Sequence, residues 1–164
     1  MPAGRDFHTA VWTGSDMIVW GGASATPGSF FDSGGVFTPP GTDFYTVYPC
    51  RVLDSRQATG PWGGQPLAAG QERALAVAGT CGVPATAAAL SFNLTVTAGT
   101  APGNIRLYPA GSPRVLSSVL NFASGQTCSN NGVVTLGAEG NLEVFSGQTS
   151  GRVHVILDVS GYFE

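Results

Sequence analysis

Apolar and polar side chains alternate along most of the chain with the period of two residues that a half-buried β-strand requires. The clearest run covers residues 88–97, where one side holds Leu90, Phe92, Leu94 and Val96. The last run covers residues 152–160, where one side holds Val153, Val155, Leu157 and Val159. No segment shows a long helical period. Strands of this kind indicate antiparallel sheets with one face in solvent.

Glycine and proline separate the shorter apolar runs at spacings of about 8–15 residues, which is typical of β-sandwiches and barrels. About eight such runs follow Cys50. One predicted strand places Leu116, Ser118, Leu120 and Phe122 on a shared face. The runs on either side of residues 137–140 are expected to form a hairpin, because Gly137 and Gly140 suit a tight turn. The fold prediction is all-β: a two-sheet antiparallel β-sandwich, jelly-roll-like, with an N-terminal β-hairpin extension.

The first 40 residues follow a different pattern. Strands are expected at residues 7–13 and 16–20, joined by Gly14-Ser15. The segment Pro39-Pro40-Gly41 reads as a linker. We therefore expect two parts, a hairpin unit with its linker at residues 1–40 and a sandwich at residues 41–164.

The composition narrows the classes of function. Charged residues make up 10% of the 164 residues, all seven basic residues are arginine, and the net charge is −3. A nucleic-acid-binding surface needs more positive charge than this, so we expect no nucleic-acid partner. No run of about 18 apolar residues is present, so we expect no membrane insertion. Few charges with many small polar residues are typical of extracellular sandwich modules.

Three cysteines, Cys50, Cys81 and Cys128, fit no C-x-x-C metal motif. One disulfide with one free thiol is the simplest arrangement. Three free thiols remain the alternative.

Catalytic chemistry finds little support in the sequence. No G-x-S-x-G motif occurs, and His154 and Asp158 are separated by four residues of strand, about 13 Å. Asp6, His8 and Asp16 form only a weak metal-binding pattern, and no pair of carboxylates stands out. We therefore predict no catalytic residue, no metal and no cofactor. A small hydrolase with a site between loops or subunits remains an alternative.

Four residues are candidate ligand contacts. Trp62 lies in a glycine- and proline-rich loop and could stack on a sugar, or fold back over the core. Tyr108, like Tyr45 and Tyr48, lies near a strand end and offers another ring. Asp54 and Arg56 fall on one side of a strand exit, where they could brace the adjoining loop or contact a ligand.

The N-terminal unit resembles a Kelch repeat. The matching residues are Arg5, His8-Thr9-Ala10, Trp12, Gly14, Met17-Ile18-Val19-Trp20-Gly21-Gly22 and Gly34-Gly35. Kelch repeats are blades of β-propellers, and one blade cannot close a ring. The resemblance implies the tail of a larger protein, with Met1 an internal residue used as a start. An unrelated β-hairpin is the alternative.

The body resembles a module found near the ends of secreted bacterial proteins. The matching segments are PCRVLDSR (49–56), PLAAG (66–70), CGVP (81–84), NLTVT (93–97), LYP (107–109), LNF (120–122), GQT (125–127) and DVSGYF (158–163). This resemblance implies a secreted or cell-surface β-sandwich without known catalytic residues. Its members often pair the cysteines that match Cys50 and Cys81, a bridge that would contribute about 3 kcal/mol.

These observations lead to one leading hypothesis and two alternatives. The leading hypothesis is a non-catalytic extracellular binding or attachment module for a glycan or a protein. The first alternative is a structural subunit that self-assembles into an oligomer or fibre through the N-terminal hairpin. The second alternative is the small hydrolase.

Overall fold

The computed structural model describes residues 9–13, 16–23, 29–37, 43–57 and 63–164. The chain divides into two compact units, Met1–Asp43 and Phe44–Glu164. The described residues form twelve strands and no helix. It follows that none of these residues belongs to a helix able to cross a membrane.

The N-terminal unit is a three-stranded antiparallel sheet of β1 (Thr9–Trp12), β2 (Met17–Trp20) and β3 (Gly34–Phe37), with β2 in the centre. The pairing of β1 with β2 confirms the predicted hairpin. The third strand was not predicted. Gly34 fits beside β2 because a Cβ atom there would collide with the Val19 carbonyl and the Trp20 ring.

The second unit holds two antiparallel sheets. The first sheet has the order β10-β7-β12-β4, and β5 also pairs with β12; its strands are β4 (Phe44–Asp54), β5 (Leu67–Ala68), β7 (Ala89–Thr97), β10 (Cys128–Thr135) and β12 (Arg152–Phe163). The second sheet has the order β6-β11-β8-β9; its strands are β6 (Glu72–Ala76), β8 (Gly103–Pro109), β9 (Leu120–Phe122) and β11 (Asn141–Ser146).

The core lies between these two sheets and follows the alternation in the sequence. Leu94 of β7 and Leu157 of β12 are fully buried, and they belong to one apolar cluster with Leu142 and Val144 of β11. Their neighbours along each strand point away from the core, which leaves the first sheet with a polar outer face. The predicted all-β, two-sheet antiparallel sandwich is confirmed.

Two local predictions were wrong. The expected hairpin across residues 137–140 does not form, because β10 belongs to the first sheet and β11 to the second. The turn instead carries the chain from one sheet to the other, and a Cβ atom at Gly137 would collide with the backbone of Ala110. Leu116 lies outside any strand and is 90% exposed.

A disulfide joins Cys50, on β4, to Cys81, in the turns that follow β6, and confirms the predicted pair. Cys128, at the start of β10, is a free, half-buried thiol. The bridge ties the first sheet to the chain that leaves the second sheet.

Candidate functional site

A network of four charged residues lies on the outer face of the first sheet, where β4 pairs with β12. The Arg51 guanidinium donates to both carboxylate oxygens of Asp158, at 2.8 and 3.1 Å, and to Asp54 at 3.1 Å. The Arg56 guanidinium donates to both oxygens of Asp54, at 2.8 and 2.7 Å. Positive and negative groups thus alternate through the network, and both carboxylates are held by two-pronged arginine contacts.

Asp54 is the buried centre of this network, with 1% of its surface exposed. The hydrogen bonds from Arg56 hold the pKa of its carboxyl well below the usual range, against the opposing effect of burial. One carboxylate oxygen also accepts the backbone N–H of Arg56, at 3.2 Å, and so holds the turn that follows β4. The geometry therefore supports a structural role for Asp54 and Arg56, in which they stabilise the turn that follows β4. A ligand contact by Asp54 and Arg56 stays a prediction, and the half-exposed Arg56 is the more accessible of the two.

Ser55 and His154 meet beside this network, but they are not arranged as a nucleophile and its base. The His154 Nδ1 atom lies 2.9 Å from the Ser55 carbonyl oxygen and 3.2 Å from Ser55 Oγ. A carbonyl oxygen can only accept, so Nδ1 carries the hydrogen and is not free to take the proton of Ser55. Ser55 is also buried, and its Oγ accepts the backbone N–H of Val155 at 2.8 Å.

Tyr108 is 2% exposed, so its ring presents no face for stacking in this structure. Its hydroxyl donates to Glu72, which also accepts from Arg114 Nε at 2.7 Å. Burial raises the pKa of Tyr108, and the hydrogen bond from Arg114 lowers the pKa of Glu72. The Arg114 guanidinium lies 4.0 Å from the centre of the Phe145 ring. Tyr108 and Phe145 alternate with the core residues Leu107 and Val144, so this cluster lies on the outer face of the second sheet.

Other predicted site residues lie outside the described residues. Trp62 is among them, and its ligand contact stays a prediction. Asp6 and His8 of the weak metal pattern are also outside. Within the described part of the chain, no three metal-binding side chains come together.

Five aromatic residues lie where β4 begins and β12 ends, and we call Phe44, Tyr45, Tyr48, Tyr162 and Phe163 the aromatic edge. Phe44 is paired with Phe163 and Tyr45 with Tyr162, so the two ring pairs lie on opposite faces of the sheet. The Phe44 and Phe163 rings are 5.0 Å apart, and the Tyr45 and Tyr162 rings stack at 5.2 Å. Tyr48 is 93% exposed, and Phe44 and Tyr45 are each nearly half exposed. A Cβ atom at position 161 would strike the Phe44 ring, so Gly161 allows that ring to lie against the strand.

A shallow cavity of 420 Å³ adjoins the aromatic edge. It is lined by Val47, Tyr48, Pro49, Cys50, Cys81 and Gly82. The disulfide fixes this wall, because it links β4 to the turn that contains Gly82. The sequence pointed to Tyr45 and Tyr48 as rings near strand ends. It did not show that Tyr162 and Phe163 lie beside them, because that contact depends on the pairing of the first and last strands of the sandwich.

Comparison with known proteins does not assign this chain to a family. No family model and no curated protein matches the sequence. Two solved structures of the Tobacco streak virus coat protein are similar to the chain. The first, at 2.1 Å resolution, has a TM-score of 0.40 and 10% identity over 78% of this chain and 89% of that chain. The second, a coat protein dimer, has a TM-score of 0.39 and 11% identity over 77% and 87%. At these TM-scores the likeness supports no conclusion about function.

Proposed function

We propose that the sandwich is a non-catalytic extracellular module that binds a glycan or another protein through the aromatic edge. The observation that carries this proposal is the exposure of rings at one end of the first sheet, where Tyr48 is 93% exposed and Phe44 and Tyr45 are nearly half exposed. Tyrosine is enriched at interfaces, since its ring is apolar and its hydroxyl can bond to a polar partner.

The setting of the aromatic edge suits a rigid contact surface. Ring pairs that already touch, such as Tyr45 with Tyr162, lose little side-chain freedom when a ligand arrives. The shallow cavity beside Tyr48 adds a concave wall, and its disulfide is typical of proteins that work outside the cell. Ser55 is buried and its hydroxyl already accepts a backbone hydrogen bond, and the Nδ1 atom of His154 bonds to the Ser55 carbonyl oxygen instead of activating the hydroxyl. Both observations favour binding over hydrolysis.

The experiment is a glycan array read with the full chain and three variants. Tyr48→Ala is expected to reduce binding at least about tenfold, because an aromatic anchor at an interface contributes 1–2 kcal/mol or more. Leu116→Ala is the matched control, since Leu116 is a similarly exposed apolar residue in a loop. Trp62→Ala tests the loop contact by itself. A glycan that binds wild type and Tyr48→Ala equally would remove the aromatic edge from the binding role.

A second function, self-assembly through the N-terminal sheet, is favoured by a specific observation. Val11, Ile18 and Val36 lie side by side across its three strands, and Trp20 lies two residues along on the same face. All four are exposed, from 38% for Ile18 to 63% for Val36. A sheet with one apolar face is stable when that face is covered, and a second copy offers a matching face.

Light scattering after size-exclusion chromatography tests this second function. Self-assembly through the N-terminal sheet predicts a mass above the 16.7 kDa of one chain, and a lower mass in Val36→Lys than in wild type. Leu116→Lys is the control, because it places the same charge on an exposed leucine outside the sheet. An unchanged assembly in Val36→Lys would reject this interface.

A further inference from the structure

Among the described residues the sandwich has five edge strands, and four of them carry features that discourage pairing with another strand; one of these four, β5, has only two residues. Such features are charge, proline, bulges and short length, each of which hinders the addition of a new strand. Strand β4 contains Pro49 and Arg51, and its register with β12 shifts twice. Strand β6 carries Glu72 and Arg73, and β9 has three residues.

Strand β10 has none of these features. Its eight residues, CSNNGVVT, include no charge and no proline. All eight pair with β7 in one unbroken register. Apart from its pairing with β7, β10 makes no backbone hydrogen bond to any described residue. The Asn130 amide donates to the Val119 carbonyl oxygen at 2.8 Å and shields the first half of the strand, which leaves residues 131–135 as the open part.

The open part of β10 is complementary to itself. Asn131, Val133 and Thr135 point to the outer face of the sheet, since they lie opposite Asn93, Ser91 and Ala89 of β7. Val133 is the apolar member of the three and is 60% exposed. An antiparallel copy centred on Val133 would join the two valines and bring each asparagine opposite a threonine, with no like charges in contact.

We propose that residues 131–135 of β10 pair with the same segment of a second copy of the chain, with Val133 on the two-fold axis. Asn131 then lies opposite Thr135 of the partner subunit, where amide and hydroxyl form a hydrogen bond. The half-buried Val134 lies opposite Gly132 of the partner subunit, so the core-facing side of the sheet also continues from one copy into the other. The first sheets of the two copies become one continuous sheet. This interface shares no residue with the aromatic edge or with the N-terminal sheet.

A second copy fits this edge better than an unrelated peptide, because one two-fold pairing satisfies the same open edge on both molecules. A peptide partner would leave its own far edge unpaired. The pairing also needs no pocket for alternate side chains. The described residues around Val133 offer none, since its cross-strand neighbour is the small Ser91.

The first test measures the mass of the full chain by light scattering over a range of concentrations. Wild type is expected to reach twice the 16.7 kDa monomer mass. Val133→Lys places two like charges on the axis and is expected to weaken the dimer at least about tenfold. Leu116→Lys is the matched control that keeps the dimer, since it exchanges an exposed apolar residue for lysine away from β10. A monomeric wild type at every concentration, or a dimer unchanged in Val133→Lys, overturns the proposal.

The second test fixes the register. In a Cys128→Ser background, Val133→Cys is expected to form a disulfide-linked dimer under mild oxidation, because the axis places that position opposite its own copy. Ser129→Cys, four residues along the same face, is expected to stay unlinked. Linkage through Ser129→Cys and not through Val133→Cys would overturn this pairing. Far-ultraviolet circular dichroism of each variant confirms that the sandwich is intact.

Discussion

The two units of this chain are both antiparallel β-structure, yet among the residues that the structure describes only the second unit builds a core. In the sandwich, Leu94, Leu142 and Leu157 are fully buried between two sheets. In the three-stranded N-terminal sheet, Val11 and Val36 are more than half exposed. All the buried apolar side chains among the described residues belong to the sandwich. The difference shows that alternating apolar and polar residues are enough to form a strand, whereas a hydrophobic core also needs a second sheet packed against the first.

The cause is geometric. A sheet buries an apolar face only against another layer, and three short strands cannot fold back on themselves to supply one. Stability should therefore be concentrated in the sandwich, and the N-terminal sheet should contribute little to it. The predictions below test that difference, from the largest expected effect to the smallest.

Truncating one apolar side chain in each unit gives the largest contrast. Leu94→Ala should lower the free energy of unfolding by about 3 kcal/mol or more, because it leaves a cavity between the sheets. Val11→Ala should lower it by less than about 0.5 kcal/mol, because Val11 is already exposed. Urea denaturation followed by circular dichroism measures both. Equal losses in the two variants would show that the N-terminal sheet shares the core.

Removing the disulfide should have the next largest effect. The double variant Cys50→Ala/Cys81→Ala opens a loop with a sequence separation of 31 and should lose about 3 kcal/mol of unfolding free energy. Cys128→Ala is the control and should lose less than about 1 kcal/mol, since that thiol is free and half-buried. A double variant as stable as the control would mean that the bridge does not constrain the fold.

The charge network should contribute less than the disulfide. Asp54→Asn should cost about 1–2 kcal/mol at neutral pH, because Arg56 loses its charged partner and Arg51 one of its two, yet both arginines remain close to half exposed to water. The folded pKa of Asp54 lies below its ordinary value near 4. Its stabilisation is therefore complete above about pH 4 and is lost as the pH falls towards the folded pKa. The stability difference between wild type and variant should shrink on acidification. A difference that grows as the pH falls would contradict this assignment.

The sequence predicted those features that depend on the direction of neighbouring side chains. The alternation in β7 and β12 identified strands and core residues correctly, because the period of two is a local property. The assignment of β10 and β11 to different sheets was missed, because it depends on the close approach of Gly137 to Ala110, far away in sequence.

In the candidate site, too, the sequence predicted local contacts and missed those between distant strands. Asp54 and Arg56 are two residues apart, and the sequence pointed to them as a pair. Arg51 and Asp158 are separated by 107 residues, so no local pattern links them. The aromatic edge likewise joins the first and last strands of the sandwich. Pairing between distant strands decides these contacts, and alternation along one strand carries no information about it.

Hydrogen exchange on the full chain tests most directly whether the sandwich is the stable part of the molecule. Amides of β7 and β12 should exchange only through global unfolding, since both strands lie inside the first sheet. Amides of β1, β2 and β3 should exchange at least about 100-fold faster, because their sheet opens without exposing a core. Equal protection of the two sets of strands would contradict the account.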